Sequence, residues 1–447
     1  MDRREIKDMM IATTGCLQAG SKAPIVYRGA FEDIFPKMAA DGYQAVEMHI
    51  QDSREINREK LNEQLEINHL KLTSIGTGMA YGTWHLNIGD HNRDIRNRAI
   101  ACIEEHMITA SPHHSLVILG SMQGRFSDAA SAEEFVSNVE EIISNYDIDG
   151  IHFDYIRYPD NRGQFPDDGL YRLYGKGLSR ADWRRNNITR FVTKVYDLVK
   201  KEKPWVQVSS SPLGRYRTLN DRGRGWTALE TVFQDAATWL KMGKHDALYP
   251  MMYYKDHLFY PFVDDWLENG NKRIIVPGLG TYQMIELGWS RQDIVDQMDY
   301  TRKNESAGQA YFRTDNVLSN TKGILNTLDQ YYRYPAKLPA MTWLSDEIPE
   351  APYDLTAESI NGKLLLNWKI GDAGARVTYN VYRSESEDFD VHKAENILAT
   401  GLRKPFFEYA ASVDEKGYYY YVTVSDSYHN ESEICCPAFF VHSETVK

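Results

Sequence analysis

Short apolar or β-branched runs alternate along most of this chain with longer stretches whose apolar residues recur at helical spacing. That alternation predicts parallel β/α units, because parallel strands are buried on both faces and need a crossover helix between them. The predicted strands are Met9–Thr14, Ala45–Ile50, Leu72–Gly76, Leu116–Gly120, Gly150–Tyr155, Val206–Ser211, Ala247–Tyr253, Arg273–Gly278 and Gly308–Phe312. Helical spacing over Arg28–Asp41, Arg54–Ile67, Arg93–Ala110, Ser131–Asn145 and Asn187–Lys201 fills gaps between them. Ser131 and Glu134 form a capping box. An eight-stranded (β/α) TIM-type barrel would use eight of these strands and leave a surplus ninth.

The pattern changes after residue 333. Pro335, Pro339, Pro349 and Pro352 interrupt any regular element, so a linker is placed at 334–353. Beyond it, Lys363–Lys369, Val377–Arg383, Tyr418–Val424 and Ala438–His442 alternate as short strands, the pattern of a β-sandwich.

Composition removes several function classes. The net charge of −12, with no local basic patch, argues against a nucleic-acid or anionic-membrane partner. No run of 18 apolar residues predicts a membrane span. The four cysteines, Cys16, Cys102, Cys435 and Cys436, lack zinc spacing, and neighbouring Cys435 and Cys436 would bridge only under strain. No cofactor or metal is expected. The start, Met1-Asp-Arg-Arg-Glu5, lacks the apolar stretch of a signal peptide. Either the protein stays in the cytoplasm or this chain differs from the natural precursor, so localisation is unknown. The 29 tyrosines and 9 tryptophans suit either β-rich cores or the C–H faces of sugar rings.

Most informative is the stretch Asn145-Tyr-Asp-Ile-Asp-Gly-Ile-His-Phe-Asp-Tyr-Ile-Arg-Tyr-Pro159. It reads as a buried strand ending at Asp154, with Arg157 and Tyr158 on the following loop. In a (β/α) barrel, chemistry is carried at the carboxyl ends of strands. A carboxylate there is a candidate nucleophile or general base at an anomeric carbon. Its nearest partners would be His152 and Arg157, and the structural alternative is a loop cap paired to Arg157.

This stretch closely resembles the bacterial glycosyl hydrolase-like family 10. The resemblance continues through Lys203–Gly214, Gln234–Leu240, Asp246–Tyr254, Phe259–Phe262, Val276–Tyr282, Gly308–Arg313 and Asn320–Gly323. Trp368, the Tyr379–Tyr382 run and the later Tyr420–Asp426 run with Asn430-Glu-Ser432 resemble a fibronectin type III module. Together these cover about residues 127–447. The resemblance implies a (β/α) barrel and a polysaccharide or peptidoglycan-type glycan as substrate. The resembled hydrolases are usually exported.

Glycoside hydrolysis normally uses two carboxylates. Asp256, after the strand that ends near Tyr254, is the second candidate; Asp315 and Asp235 are weaker ones. Tyr253, Tyr254, Gln309 and Arg313 lie at strand ends and could bind sugar hydroxyls, as could His152, Arg157 and Tyr158.

Residues before 127 follow another pattern. Gly42–Ile50, Lys71–Gly82 and Ser115–Arg125 resemble strands of the xylose isomerase-like sugar phosphate isomerases and epimerases. The expected domains are therefore an isomerase-like part at 1–126, a hydrolase-like part at 127–333, the linker and a sandwich at 354–447. The junction falls near Arg125–Glu134. Glu47 and His49, on one side of a strand by alternation, are candidate substrate-binding residues. The isomerase-type family holds a divalent metal through later strands whose motifs are missing here. The main expectation is a glycoside hydrolase. The alternatives are a sugar phosphate isomerase or epimerase, a non-catalytic carbohydrate-binding protein, and a folded hybrid without activity.

Overall fold

The computed structural model describes residues 12–17, 25–90, 92–123, 132–160, 165–219, 226–360, 363–371, 376–409 and 416–441. The start of the Met9–Thr14 strand, the Ser131–Glu134 capping box and the Arg125–Glu134 junction lie wholly or partly outside them. The chain divides into two compact units: Met1–Asp147 with Arg313–Asn316, and Ile148–Phe312 with Val317–Lys447. Among the described residues, no helix is long and apolar enough to cross a membrane.

The first unit is a parallel sheet of β1 (Ala12–Cys16), β2 (Tyr27–Arg28), β3 (Ala45–His49), β4 (Lys71–Gly76) and β5 (Leu116–Ile118), in the order β2-β1-β3-β4-β5. Helices Phe31–Ala40, Arg58–Ile67 and Arg93–Ala110 return the chain between strands. Asn57 starts the second by accepting from the Lys60 amide, a backbone donor the helix leaves unpaired. Phe35, Met38, Met48, Leu61 and Ile75 are fully buried between sheet and helices.

The second unit holds β6 (Gly150–Phe153), β7 (Gln207–Ser210), β8 (Ala247–Leu248), β9 (Met251–Met252), β10 (Ile274–Ile275), β11 (Gly278–Gly280) and β12 (Ala310–Phe312). They form two parallel ladders, β10-β8-β7-β6 and β12-β11-β9. All nine predicted parallel strands reappear, but two are each broken in two. Pro250 separates β8 from β9, and Pro277 separates β10 from β11. Proline has no N–H to give the ladder, although its carbonyl still accepts, Pro250 from Gly278 and Pro277 from Ala310. The chain nevertheless runs through both breaks, so the two ladders are linked.

The long helix Arg180–Glu202 packs on this unit through Trp183, Ile188, Phe191, Val195 and Val199. At the amino end of β8, fully buried Asp246 accepts from Val208 N, Tyr196 and Trp343 at 2.8, 3.1 and 2.9 Å, and pairs with Lys200 at 2.7 Å. Trp343 belongs to the predicted linker. Residues 334–352 of that segment hold no helix or strand, Tyr353 already begins an antiparallel strand, and the segment is pinned: Arg273 lies 4.5 Å from the Trp343 ring centre, and the Met341 amide donates to Tyr428.

Seven antiparallel strands complete the unit: β13 (Tyr353–Ile360), β14 (Lys363–Lys369), β15 (Thr378–Ser384), β16 (Ile397–Leu402), β17 (Phe406–Tyr409), β18 (Gly417–Ser425) and β19 (Ala438–Val441). They form sheets ordered β13-β14-β17 and β16-β15-β18-β19. Alternate residues Leu364, Leu366 and Trp368 face Tyr379, Val381, Tyr420 and Val422 in one core. All four cysteines are free thiols.

Candidate active site

Asp154 emerges directly after β6, at the carboxyl end of the parallel ladder, and its side chain is exposed. Its Oδ1 accepts from the Tyr155 backbone amide at 2.7 Å. The Tyr155 backbone is left-handed, at φ 57°, which turns the chain sharply and leaves its ring 68% exposed. Among the described residues Asp154 forms no ion pair. The expected pairing with Arg157 is not made: Arg157 instead lies 4.4 Å over the Tyr155 ring, with its Nη1 buried and unpartnered. The carboxylate therefore caps the turn and keeps its second oxygen available.

Neighbouring loops hold this turn in place. Ser211 N donates to Phe153 O at 3.2 Å, and Tyr158 N to Val232 O at 3.0 Å. Gln234, fully buried, donates Nε2 to Ile156 O and accepts at Oε1 from Leu213 N, both at 3.0 Å. One side chain thus ties the loop after β6 to the loop after β7. Gln234 lies in a motif noted in the sequence, but nothing local to it signals that role.

His152 is two residues before Asp154, on the same face of β6 by strand alternation. Its Nδ1 and Nε2 each lie 2.9 Å from a hydroxyl, Ser209 and Ser211, and its ring meets Tyr249 edge-on at 5.4 Å. Desolvation lowers its pKa, and the Asp154 charge opposes that shift. A neutral imidazole fixed by two hydroxyls is suited to orienting a polar ligand beside Asp154.

Tyr253 stands just past β9. It stacks on Phe312 at 5.2 Å and meets Tyr282 edge-on at 5.6 Å. Burial pushes its phenol upward, and the charge on Asp154 adds to that, so the two groups share an electrostatic environment. Tyr254 follows, with the Arg215 guanidinium 4.9 Å from its ring centre. Gly214 lets this loop approach β9: a Cβ there would lie 2.2 Å from Met251 O.

Asp256 is exposed, with a left-handed φ of 54°, at the start of a 3-10 turn, Asp256–Leu258, beyond the same strand end. Its charge acts on Tyr260. Asp235 caps the helix Ala236–Lys241 and accepts from Tyr216 at 2.7 Å. Asp315 is exposed in the first turn of helix Thr314–Leu318.

Two expected binding residues lie away from an exposed strand-end rim. Tyr158 is buried: its ring meets Phe165 and Phe233 edge-on, and its hydroxyl accepts from Asn187 at 3.2 Å, so it is core. Gln309 precedes β12 and is therefore at the amino end of that strand. Its amide donates to Thr301 at 2.8 Å and accepts from Tyr332. Arg313 follows β12 directly.

In the first unit, Glu47 and His49 do share one side of β3. They pair with each other at 2.9 Å, and Ser74 donates to Glu47 at 3.0 Å. Burial would raise the Glu47 pKa, but His49 and Ser74 outweigh it and the net shift is downward. Among the described residues, no group of three or more His, Cys, Asp or Glu is placed to hold a metal.

Comparison with known proteins fits this geometry. Residues 130–269 match the family Glycosyl hydrolase-like 10, the segment that contains Asp154, Gln234 and Tyr253. The resemblance to glycosyl hydrolase-like family 10 is thereby shown. The chain is 30% identical over 331 residues to "Glycosyl hydrolase YngK" of Bacillus subtilis, a match covering 67% of this chain and 63% of that protein. It is 35% identical over 125 residues to "Glycosyl hydrolase DigH" of Escherichia coli, covering 26% of this chain and 28% of that protein. The chain thus spans less than two thirds of these relatives. Among solved structures, an Fn3-like protein from Clostridium thermocellum aligns with 22% identity and a TM-score of 0.18, over 21% of this chain and 92% of that one.

Proposed function

We propose that the chain is a glycoside hydrolase acting on a polysaccharide or peptidoglycan-type glycan, with Asp154 as the nucleophile or base. The observation that carries this reading is the exposed Asp154 carboxylate at the carboxyl end of a parallel strand, free of any ion pair among the described residues. A carboxylate without an ion-pair partner is available either to attack an anomeric carbon or to take a proton from water. His152, Tyr253 and Tyr155 supply polar and aromatic surface around it. Parallel strands joined by helices support a (β/α)-barrel reading, in which the carboxyl ends of the strands form the substrate face.

Asp256 is proposed as the second carboxylate, the acid that protonates the leaving oxygen. Carboxyl groups roughly 5 Å apart would give retention, and roughly 6.5–9.5 Å inversion. Asp154→Asn should cut glycan cleavage by about 10²-fold or more while leaving the melting temperature in place. Unchanged cleavage would remove Asp154 from the mechanism. Proton NMR of the first product formed reads the anomer and decides between nucleophile and base.

The isomerase-like reading of residues 8–126 rests on sequence motifs, and its Glu47 and His49 are engaged with each other.

A further inference from the structure

A guanidinium stays protonated at any pH a protein survives, so a buried arginine normally has a carboxylate beside it. One buried arginine of the second unit, Arg184, obeys this, and the half-exposed Arg217 is paired as well. Arg184, 2% exposed, grips Asp167 through Nε and Nη2 at 2.7 and 2.8 Å. Arg217 binds Asp265 through the same two nitrogens. Arg215 does not. It is 8% exposed, its Nε is buried without a hydrogen-bond partner, and among the described residues it has no ion pair. Its one side-chain contact of note is the face of Tyr254. A cation–π contact offsets only part of the cost of desolvating the charge.

Arg215 lies on the loop after β7. Leu213 of that loop bridges Met251, and Gln234 ties it to the Asp154 turn. The unneutralised cation is therefore at the same edge of the ladder as Asp154. Arg157, with its buried unpartnered Nη1, adds a second donor there.

We propose that Arg215 is the specificity-determining residue for an anionic group on the glycan, and that the site takes saccharides bearing a carboxylate. This rests on the hydrolase reading and names its substrate class. A carboxylate matches the guanidinium fork with two parallel N–H···O bonds and supplies the missing counter-charge. Two kinds of sugar that carry one serve as the candidates: a hexuronic acid, at C6, and a muramic acid, on its lactyl ether.

The test is calorimetric binding to the Asp154→Asn chain, so that no turnover intervenes. The probes are two tetrasaccharides, one alternating N-acetylglucosamine with glucuronic acid, the other with N-acetylmuramic acid. Each is compared with its counterpart in which the carboxylates are reduced to alcohols. One acidic probe should bind about thirty-fold or more tightly than its reduced form, and Arg215→Met should abolish that preference. Which probe it is identifies the source of the carboxylate. The reduced sugars require no change at Arg215, so a variant that fails to fold does not spoil the test. Equal binding of acidic and reduced forms, no binding of either, or a preference that survives Arg215→Met overturns the proposal. Cleavage by the unmutated chain is measured in parallel. Selective binding without cleavage defeats the hydrolase reading alone, whereas cleavage indifferent to the carboxylate defeats the assignment of Arg215 alone.

Discussion

The buried side-chain amide of Gln234 donates to the carbonyl of Ile156 at 3.0 Å, two residues beyond Asp154. The other end of the same amide serves Leu213 N. Replacing Gln234 by Leu keeps the bulk but strands two buried backbone groups, at a cost of about 2–3 kcal/mol. The turn that presents Asp154 loses its tie to the next loop. Urea unfolding should show the destabilisation, and kcat should fall even where the chain remains folded. A variant with unaltered kcat would show that the turn is held by its other bonds.

Asp256 is argued to protonate the leaving oxygen. Asp256→Asn should then slow cleavage of sugar–sugar bonds on the order of 10²-fold, yet spare aryl glycosides whose acidic phenol leaves without help. Steady-state kinetics on the two substrate types checks this. Equal losses on both would place Asp256 outside the acid role.

His245 is almost wholly buried against Trp239, with its Nε2 lacking a hydrogen-bond partner, and desolvation lowers its pKa to about 4. The folded-state value lies below the ordinary 6.5, so the unfolded chain takes up the proton first as pH falls. Stability from this group is complete above about pH 6.5 and drains away towards pH 4, on the order of 3 kcal/mol in all. His245→Gln should lose less stability than the native chain between pH 7 and pH 4.5, followed by tryptophan fluorescence. Parallel losses in the two chains would contradict it.

The Arg184–Asp167 pair is buried at both ends, 2% exposed each. Asp167→Asn leaves an uncompensated buried charge and should cost about 3–5 kcal/mol. The double change Asp167→Asn with Arg184→Met should recover much of it, because the charge goes too. Thermal melts of the single and double variants measure the recovery; a double variant as unstable as the single would show that packing, not charge, sets the cost.

The strand-ending carboxylate was legible in the sequence because strand parity and the turn residues after Phe153 are local properties. The parallel strands and the sandwich strands were legible for the same reason, although Pro250 and Pro277 break two of the former. The environments of individual side chains were not. Tyr158 and Tyr155 flank the same turn with the same chemistry, yet one is core and the other is exposed, since Phe165 and Phe233 come from elsewhere in the chain to cover Tyr158. The linker prolines are a local signal of irregular backbone, but the docking of that segment through Trp343 depends on Asp246, 97 residues away.

By itself the sequence determined the order of elements and the place of Asp154 at a strand end, because hydrophobic period and turn chemistry act over a few residues. Only the tertiary structure decided which charges found partners: Arg184 and Arg217 gained carboxylates from other segments, while among the described residues Arg215 and Asp154 gained no oppositely charged partner. Pairing is a matter of a few ångströms between groups far apart in the chain, and no local pattern specifies that distance.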